Sequence, residues 1–273
     1  MPDAVRQRRH DGQPREKPPW RFHACSALRL LSVSVAIGLT LPHSLAAVTS
    51  ETMDEVWARG RTVYMEQCAS CHGTRGDGQG EAALSLDPRP RDFTTGVYKF
   101  RGTPSGQLPA DEDLLRTLTV GVPGTAMDRY ADLPERDRRA LVVYLKSLSP
   151  RFAKGPAGAP VAAPVSRSTA PEALPRGRGV YERMQCAACH GDGARGDGPL
   201  ADQLTEEEGL PIRPADLTKP RLRSGPGPES VYRTVMTGLD GTPMPSYGDS
   251  LSSEEAWDLA LYILSLSQRE GVQ

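Results

Sequence analysis

The run Cys-x-x-Cys-His occurs twice in this 273-residue chain, and the sequence around one copy repeats the sequence around the other. The first copy covers residues 68–72 and the second covers residues 186–190. Matching positions follow in the same order through both halves, with an insertion of two residues expected after His190. They pair Gly60 with Gly177, Tyr64 with Tyr181, Gly76-Asp77-Gly78 with Gly196-Asp197-Gly198, Asp92 with Asp216, Met127 with Met244, and Tyr144 with Tyr262. A repeated order of this kind predicts a duplicated domain.

Each copy has the spacing that attaches a c-type haem covalently. Cys68 and Cys71 lie three positions apart, so that each thiol reaches one vinyl group on the same edge of the macrocycle. His72 follows directly and is placed to ligate the iron. The second half repeats the arrangement with Cys186, Cys189 and His190. The sequence therefore predicts two covalently bound haem c groups.

Three other uses of paired cysteines fit the pattern less well. A four-cysteine zinc site leaves the histidine after each pair unexplained, twice. A disulfide redox motif requires a thioredoxin-like βαβ context, of which the sequence shows no sign. Structural disulfides occur in exported proteins, but cysteines three positions apart at a helix end make a poor cross-link. Haem attachment accounts for the cysteines, the histidines and the duplication together.

The second axial ligand of each iron has few candidates. Five histidines occur in the chain, and only His72 and His190 lie beyond residue 46. Methionine is the usual partner of histidine in electron-carrying cytochromes. Met127 and Met244 follow their histidines by 55 and 54 residues, each after a Gly-x-x-Gly-Thr turn. These two are the predicted ligands; the alternative is methionines that pack in the core, as is expected for Met65, Met184 and Met236.

The first 46 residues are predicted to be a signal peptide. They combine seven basic residues, an apolar run of about 12 residues (30–41) and the small-x-small pattern Ser44-Leu45-Ala46. That run is shorter than the roughly 20 residues that span a bilayer, so no membrane span is expected after cleavage. The remaining chain has 26 basic and 31 acidic residues, a balance that gives no indication of a nucleic-acid partner. The predicted location is the periplasm.

The pattern predicts an all-α fold with long loops. Apolar spacing indicates helices over Trp57–Gln67, Asp111–Thr119, Glu135–Leu148 and Glu254–Leu266. A segment rich in Pro and Ala separates the halves. The predicted boundaries are a signal peptide at 1–46, a first domain at 47–152, a linker at 153–175 and a second domain at 176–273.

Each half resembles the class I cytochrome c fold, and the tandem arrangement is similar to dihaem cytochromes c, including those that serve periplasmic oxidoreductases. In that family the first and last helices cross near the haem, which implies close contacts of Gly60 and Tyr64 with Tyr144, and their equivalents in the second half. The resemblance also implies that a proline carbonyl holds each histidine, with Pro90 and Pro214 as candidates and Pro199 as a rival. Arg101 and Arg223 are candidates for pairing with haem propionates, the alternative being surface arginines.

An iron with protein ligands on both faces has no position for substrate. The expected function is electron transfer between redox-partner proteins, without enzymatic activity. Two alternatives remain open: a dihaem enzyme of the peroxidase type, and a haem subunit permanently docked in an oxidoreductase complex.

Overall fold

The computed structural model of the chain describes residues 50–164 and 172–269. The predicted signal peptide, part of the linker and the last four residues lie outside this range. The described residues form α-helices joined by long loops and short 3-10 turns, and the only strand-like pairing within them is an isolated bridge between Thr205 and Pro211. The predicted all-α class is confirmed.

Each half contains three longer helices and one very short helix. In the first half the helices are α1 (Met53–Gln67), α2 (Ala69–His72), α3 (Asp111–Val120) and α4 (Glu135–Ser147). In the second half they are α5 (Ala173–Arg183), α6 (Ala187–His190), α7 (Pro228–Thr237) and α8 (Ser253–Arg269). Short 3-10 turns cover Ala83–Ser85, Pro150–Lys154 and Ala201–Gln203.

Helix α1 begins four residues before its predicted start because of a capping box. The Thr52 hydroxyl accepts a hydrogen bond from the Glu55 backbone N–H at 3.3 Å, and the Glu55 carboxylate accepts one from the Thr52 N–H at 2.8 Å. The spacing of apolar residues does not reveal such a cap, because the capping residues are polar. Helix α5 likewise begins at Ala173, inside the segment predicted as linker.

The first and last helices of each half cross at a glycine, as expected. A Cβ atom on Gly60 would lie 2.0 Å from the Ala140 carbonyl oxygen of α4. A Cβ atom on Gly177 would lie 2.1 Å from the Asp258 carbonyl oxygen of α8. Only glycine allows the backbones to approach this closely. Tyrosine rings pack beside each crossing, with centroids 5.0 Å apart for Tyr64 and Tyr144 and 5.9 Å apart for Tyr181 and Tyr262.

The expected two-residue insertion after His190 is wrong. The Gly78 N–H donates to the His72 carbonyl and the Gly196 N–H donates to the His190 carbonyl, so these two glycines are equivalent. The carbonyls of Gly76 and Ala194 likewise accept from Phe93 and Leu217. Sequence similarity had matched two Gly-Asp-Gly runs that occupy different places in the turn. In this corrected register Leu86 is equivalent to Leu204, and Phe93 is equivalent to Leu217. Seven positions separate the two residues of the first half and thirteen separate those of the second. The second half therefore carries one longer loop, around residues 205–210.

The segment after α4 packs against both halves. The Val161 N–H donates to the Gly102 carbonyl of the first half at 2.6 Å. The Tyr232 hydroxyl of the second half donates to the Ala162 carbonyl at 3.2 Å, and Val161 packs against the second core. The described part of this segment is therefore packed against the two halves and is not a free linker.

Candidate haem sites

The first haem-binding motif lies at an open cavity of about 1210 Å³. Cys68, Cys71 and His72 line one side of this cavity, and Met127 also lines it. Most of the remaining wall is apolar or aromatic, including Phe93, Tyr98, Leu114, Leu118, Val122 and Leu145. The structure thus brings all four predicted ligand and attachment residues of the first half to one cavity.

The second motif lies at a similar cavity of about 1300 Å³. Cys186, Cys189, His190 and Met244 line it together. Its apolar wall includes Leu217, Val231, Val235, Leu239, Leu259 and Ile263. The duplication therefore extends to the two sites.

Each histidine is held by a backbone carbonyl through its Nδ1 atom. The Nδ1 atom of His72 lies 3.0 Å from the Arg91 carbonyl oxygen, and that of His190 lies 3.0 Å from the Ala215 carbonyl oxygen. Because a carbonyl only accepts, each Nδ1 carries the proton. Nε2 is then free to ligate iron, as a metal-binding histidine requires.

The expectation that proline carbonyls hold the histidines is wrong by one residue in each half. A Cβ atom added to Gly78 would lie 2.8 Å from the Pro90 carbonyl oxygen. A Cβ atom added to Gly196 would lie 2.5 Å from the Pro214 carbonyl oxygen. These carbonyls point at a glycine, so the next carbonyl along the chain faces the ring. Pro199 also does not hold His190, since the Ala215 carbonyl does.

A repeated Asp-x-Thr turn fixes the backbone that supplies these carbonyls. The Asp92 carboxylate accepts hydrogen bonds from the Thr94 N–H and hydroxyl at 2.8 and 2.6 Å. The Asp216 carboxylate accepts from the Thr218 N–H and hydroxyl at 3.0 and 2.5 Å. The turn follows directly after the carbonyl that holds the histidine. Because the Asp-x-Thr pattern occurs in both halves, it is the sequence feature that could have located the carbonyl that holds each histidine.

The surroundings of both imidazoles favour the neutral form. Burial lowers the pKa of His72 and of His190, although the carbonyl hydrogen bond acts in the opposite direction. The Phe93 ring stacks on the His72 ring with centroids 4.4 Å apart, a contact that no local sequence pattern indicates. A neutral, oriented ring is the form that binds iron.

The thiols fit thioether attachment better than metal binding. All four cysteines of the described residues are free of disulfides. Burial raises the pKa of Cys68 to about 12 and that of Cys186 to about 11, whereas a zinc ligand must be a thiolate. Within the described residues no group of three or more His, Cys, Asp or Glu side chains is placed to hold a metal ion.

A buried polar atom in the first cavity also fits a haem. The Tyr98 hydroxyl is buried and has no hydrogen-bond partner among the described residues, and Tyr98 lines the first cavity. Burial raises its pKa, so that it stays a donor. A buried donor without a partner is costly, and a carboxylate of the haem would satisfy it.

The two methionines lie in equivalent closed turns. The Met127 N–H donates to the Thr125 hydroxyl at 3.1 Å, and the Met127 carbonyl accepts from the Val122 N–H at 2.9 Å. The Met244 N–H donates to the Thr242 hydroxyl at 3.2 Å, and its carbonyl accepts from the Leu239 N–H at 3.1 Å. Both ends of each methionine backbone are therefore held.

The structure treats the two predicted propionate partners differently. Arg223 lines the second cavity. The Arg101 side chain is fully buried and does not line either cavity; its guanidinium lies against the second half, 2.5 Å from the Asp240 carboxylate. No local sequence pattern indicates this contact, because Arg101 and Asp240 are far apart along the chain.

Comparison with known proteins finds a cytochrome c family match in each half. The family model Cytochrome c matches residues 57–149, and the model for cytochrome c oxidase, cbb3-type, subunit III matches residues 172–263. The cbb3-type cytochrome c oxidase subunit CcoP of Azospirillum brasilense is 28% identical over 211 residues, which cover 77% of this chain and 61% of that protein. The subunit FixP of Sinorhizobium medicae is 30% identical over 104 residues, 35% of this chain and 31% of that protein.

A solved structure is also similar. A chain of the reducing HAO-like protein complex of Kuenenia stuttgartiensis superimposes with a TM-score of 0.74 at 42% identity, covering 76% of this chain and 95% of that one. No helix among the described residues of the present chain combines the length and apolarity needed to cross a membrane. From the two family matches, the tandem fold and the paired attachment sites, the chain belongs to the cytochrome c family, as a dihaem class I protein with two covalently bound haem c groups.

Proposed function

We propose that this chain is an exported electron carrier in which protein ligands close both faces of each iron. The observation that carries the proposal is that each cavity is lined by a cysteine pair, its histidine and one methionine. When bound, haem c supplies a one-electron couple between ferric and ferrous iron. The surrounding residues bind it, orient it and set its potential.

In this proposal His72 with Met127 would hold the first haem iron, and His190 with Met244 would hold the second. The carbonyls of Arg91 and Ala215 orient the imidazoles, and the closed turns hold the methionines. A methionine sulfur ligand and an apolar pocket both favour ferrous iron and raise the reduction potential. Such irons suit electron transfer because neither has a position for substrate.

Electrons are further proposed to pass between the two haems within the chain. Lys99 and Phe100 line both cavities, so the same short segment forms part of each wall. Lys99 is held there by the Glu206 carboxylate of the second half at 2.5 Å. A shared wall keeps the two sites close, which favours internal transfer.

The electron-transfer partners are proposed to be subunits of an oxidoreductase complex. The relatives named CcoP and FixP are oxidase subunits, and the similar solved chain is part of a reducing HAO-like complex. The signal peptide at 1–46 would deliver the chain to the periplasm, where covalent attachment of haem takes place. Determination of the N-terminal sequence of the exported protein tests that part.

Ferric absorption spectra test the ligation. Iron bound to a methionine sulfur gives a weak charge-transfer band in the red, and the wild type should show it for both haems. Met127→Ala and Met244→Ala should each remove about half of the band and lower the potential of one haem. Met236→Ala, a change in a methionine of helix α7, is the matched control and should leave the band intact.

Two results would overturn the proposal. A wild-type band from only one haem would indicate an open iron and favour the enzyme alternative. Loss of the band in Met236→Ala, with retention in Met244→Ala, would assign a different ligand to the second haem.

A further inference from the structure

We propose that Arg101 of the first half positions the loop that carries Met244 in the second half, acting through Asp240. Arg101 would thereby make the axial ligation of the second haem depend on contact with the first domain. This inference rests on the proposed function, since it takes Met244 as the iron ligand.

The Arg101 guanidinium is built into the base of that loop. Its side chain is 0% exposed. Nη2 lies 2.5 Å from an Asp240 carboxylate oxygen and 3.0 Å from the Thr237 carbonyl oxygen, and Nη1 lies 3.4 Å from the Gly238 carbonyl oxygen. One planar group therefore donates to three acceptors, from Thr237, Gly238 and Asp240, where α7 ends and the loop begins.

The Asp240 carboxylate is held by the first half alone in its described hydrogen bonds. Besides Arg101, it accepts from the Ser105 hydroxyl at 3.0 Å and from the Gly106 N–H at 2.9 Å. The Thr237 hydroxyl also lies 3.3 Å from the Arg101 carbonyl oxygen. Both halves therefore supply donors and acceptors to this contact, in which a loop of the second half packs on the surface of the first.

A closed turn connects Asp240 to Met244. Gly238 and Gly241, on either side of Asp240, have positive φ angles of 68° and 78°. The Leu239 N–H donates to the Met244 carbonyl at 3.1 Å and closes the turn over these residues. A shift of Asp240 therefore displaces the turn that ends at Met244.

No equivalent tether occurs among the described residues of the first half. In the repeat, Pro123 occupies the position of Asp240, and proline has no carboxylate to receive an arginine. The Met127 loop is therefore held within its own domain. This asymmetry makes the first haem an internal control for the second.

The test uses the full haem-loaded chain with three variants: Arg101→Leu, Asp240→Ala and the double variant. The readouts are the methionine–iron band, the midpoint potential of each haem and the thermal midpoint of unfolding. Each single variant should lose the second haem's share of the band and lower that haem's potential, while the first haem is unchanged. Asp240→Ala also leaves the Arg101 charge buried without its partner, so its thermal midpoint should fall most.

The double variant separates positioning from stability. It has no unpaired buried charge, so its thermal midpoint should rise above that of Asp240→Ala. It still lacks the tether, so the second haem's band should stay lost. Arg176→Gln is the control for general destabilisation, because it breaks a pair with the buried Asp258 carboxylate, inside the second half; it should lower the thermal midpoint and keep the band.

Retention of both shares of the band in the single variants would overturn the inference. So would recovery of the band together with stability in the double variant, or its loss in Arg176→Gln. Met244→Ala distinguishes the two levels. If it leaves the band intact, the proposed ligation fails and this inference fails with it; if it removes half the band while Arg101→Leu does not, only the inference fails.

Discussion

At the level of single residues, a buried tyrosine in each half holds the helix end that presents the histidine. The Tyr64 hydroxyl donates to the Gly73 carbonyl at 2.7 Å, and the Tyr181 hydroxyl donates to the Gly191 carbonyl at 2.7 Å. Each of these glycines directly follows the histidine. Burial raises the pKa of both tyrosines, so the hydroxyls remain protonated donors across the physiological range.

Removal of one such hydroxyl should destabilise the protein measurably. Tyr64→Phe is expected to lower the free energy of unfolding by about 1 kcal/mol, because the buried Gly73 carbonyl would lose the shorter of its two hydrogen bonds and keep only that from the Gly76 N–H at 3.1 Å. Urea unfolding followed by circular dichroism measures this. Tyr144→Phe, in the same aromatic cluster, loses no hydrogen bond found among the described residues and should change the free energy by less than about 0.5 kcal/mol. Equal losses in the two variants would contradict the role given to the Tyr64 hydroxyl.

The sequence was sufficient to predict the residues whose chemistry depends on type and spacing. The cysteines and histidines of both motifs follow from four or five adjacent positions. The carbonyls that hold His72 and His190 were misplaced by one residue, because their direction is decided by contact of the prolines with Gly78 and Gly196. Such contacts between distant segments leave no local pattern.

At the level of elements, the helix crossings depend on one glycine each. Gly177 and Gly179 lie on the same helix, α5, two residues apart. A Cβ on Gly177 would meet the Asp258 carbonyl and the Tyr262 side chain, whereas a Cβ on Gly179 would have no atom within 4 Å. Identical substitutions at the two positions should therefore have opposite effects.

Gly177→Ala is expected to destabilise the chain by about 1–3 kcal/mol, because α5 and α8 must move apart. Gly179→Ala should stabilise it by about 0.5–1 kcal/mol, since alanine loses less conformational freedom in a helix. Denaturant unfolding of both variants, compared with the wild type, measures the two shifts. A loss of stability of similar size at Gly179 would show that helix crossing is not the cause.

Helix existence was predictable from apolar spacing, whereas the ends and registers were less so. The start of α1 depends on the Thr52 capping box. The register of the repeat beyond His190 depends on backbone hydrogen bonds of Gly196 and Ala194. The residue Ala194 takes a positive φ of 58° where the first half has Gly76, and this substitution hid the correct alignment.

At the level of the whole molecule, the halves are joined by loops that differ between the repeats. The longer loop of the second half supplies Glu206, which pairs with Lys99 at 2.5 Å and lies 3.7 Å from the Arg91 guanidinium. Arg101 provides the reciprocal contact from the first half. The duplication thus accounts for two similar sites. Residues that differ between the repeats make the contacts that join the two halves.

Loss of the Glu206 charge should weaken the contact between the halves. Glu206→Gln is expected to cost about 1–3 kcal/mol, because the partly buried Lys99 ammonium loses a charged hydrogen-bond acceptor. Calorimetry should show one unfolding transition for the wild type and a lower or divided transition for the variant. Glu207→Gln changes the exposed neighbour and should leave the transition unchanged. A wild type that already unfolds in two separate transitions would contradict the joined arrangement.

The joining of the halves was not predictable from the sequence. Arg101 and Asp240 are separated by 139 positions, and the Pro- and Ala-rich segment between the halves indicates only a boundary. The sequence favoured a propionate partner for Arg101 because the matching Arg223 suggested a shared role. The structure instead gives the two arginines different surroundings.

Exposure of the fully reduced chain to carbon monoxide tests the central claim most directly. Carbon monoxide binds ferrous haem only where an axial position is vacant or easily vacated. If His72 with Met127 and His190 with Met244 close both irons, the absorption spectrum of neither haem should change. Binding of one equivalent per chain would reveal an open iron and would contradict the assignment of this protein as a pure electron carrier.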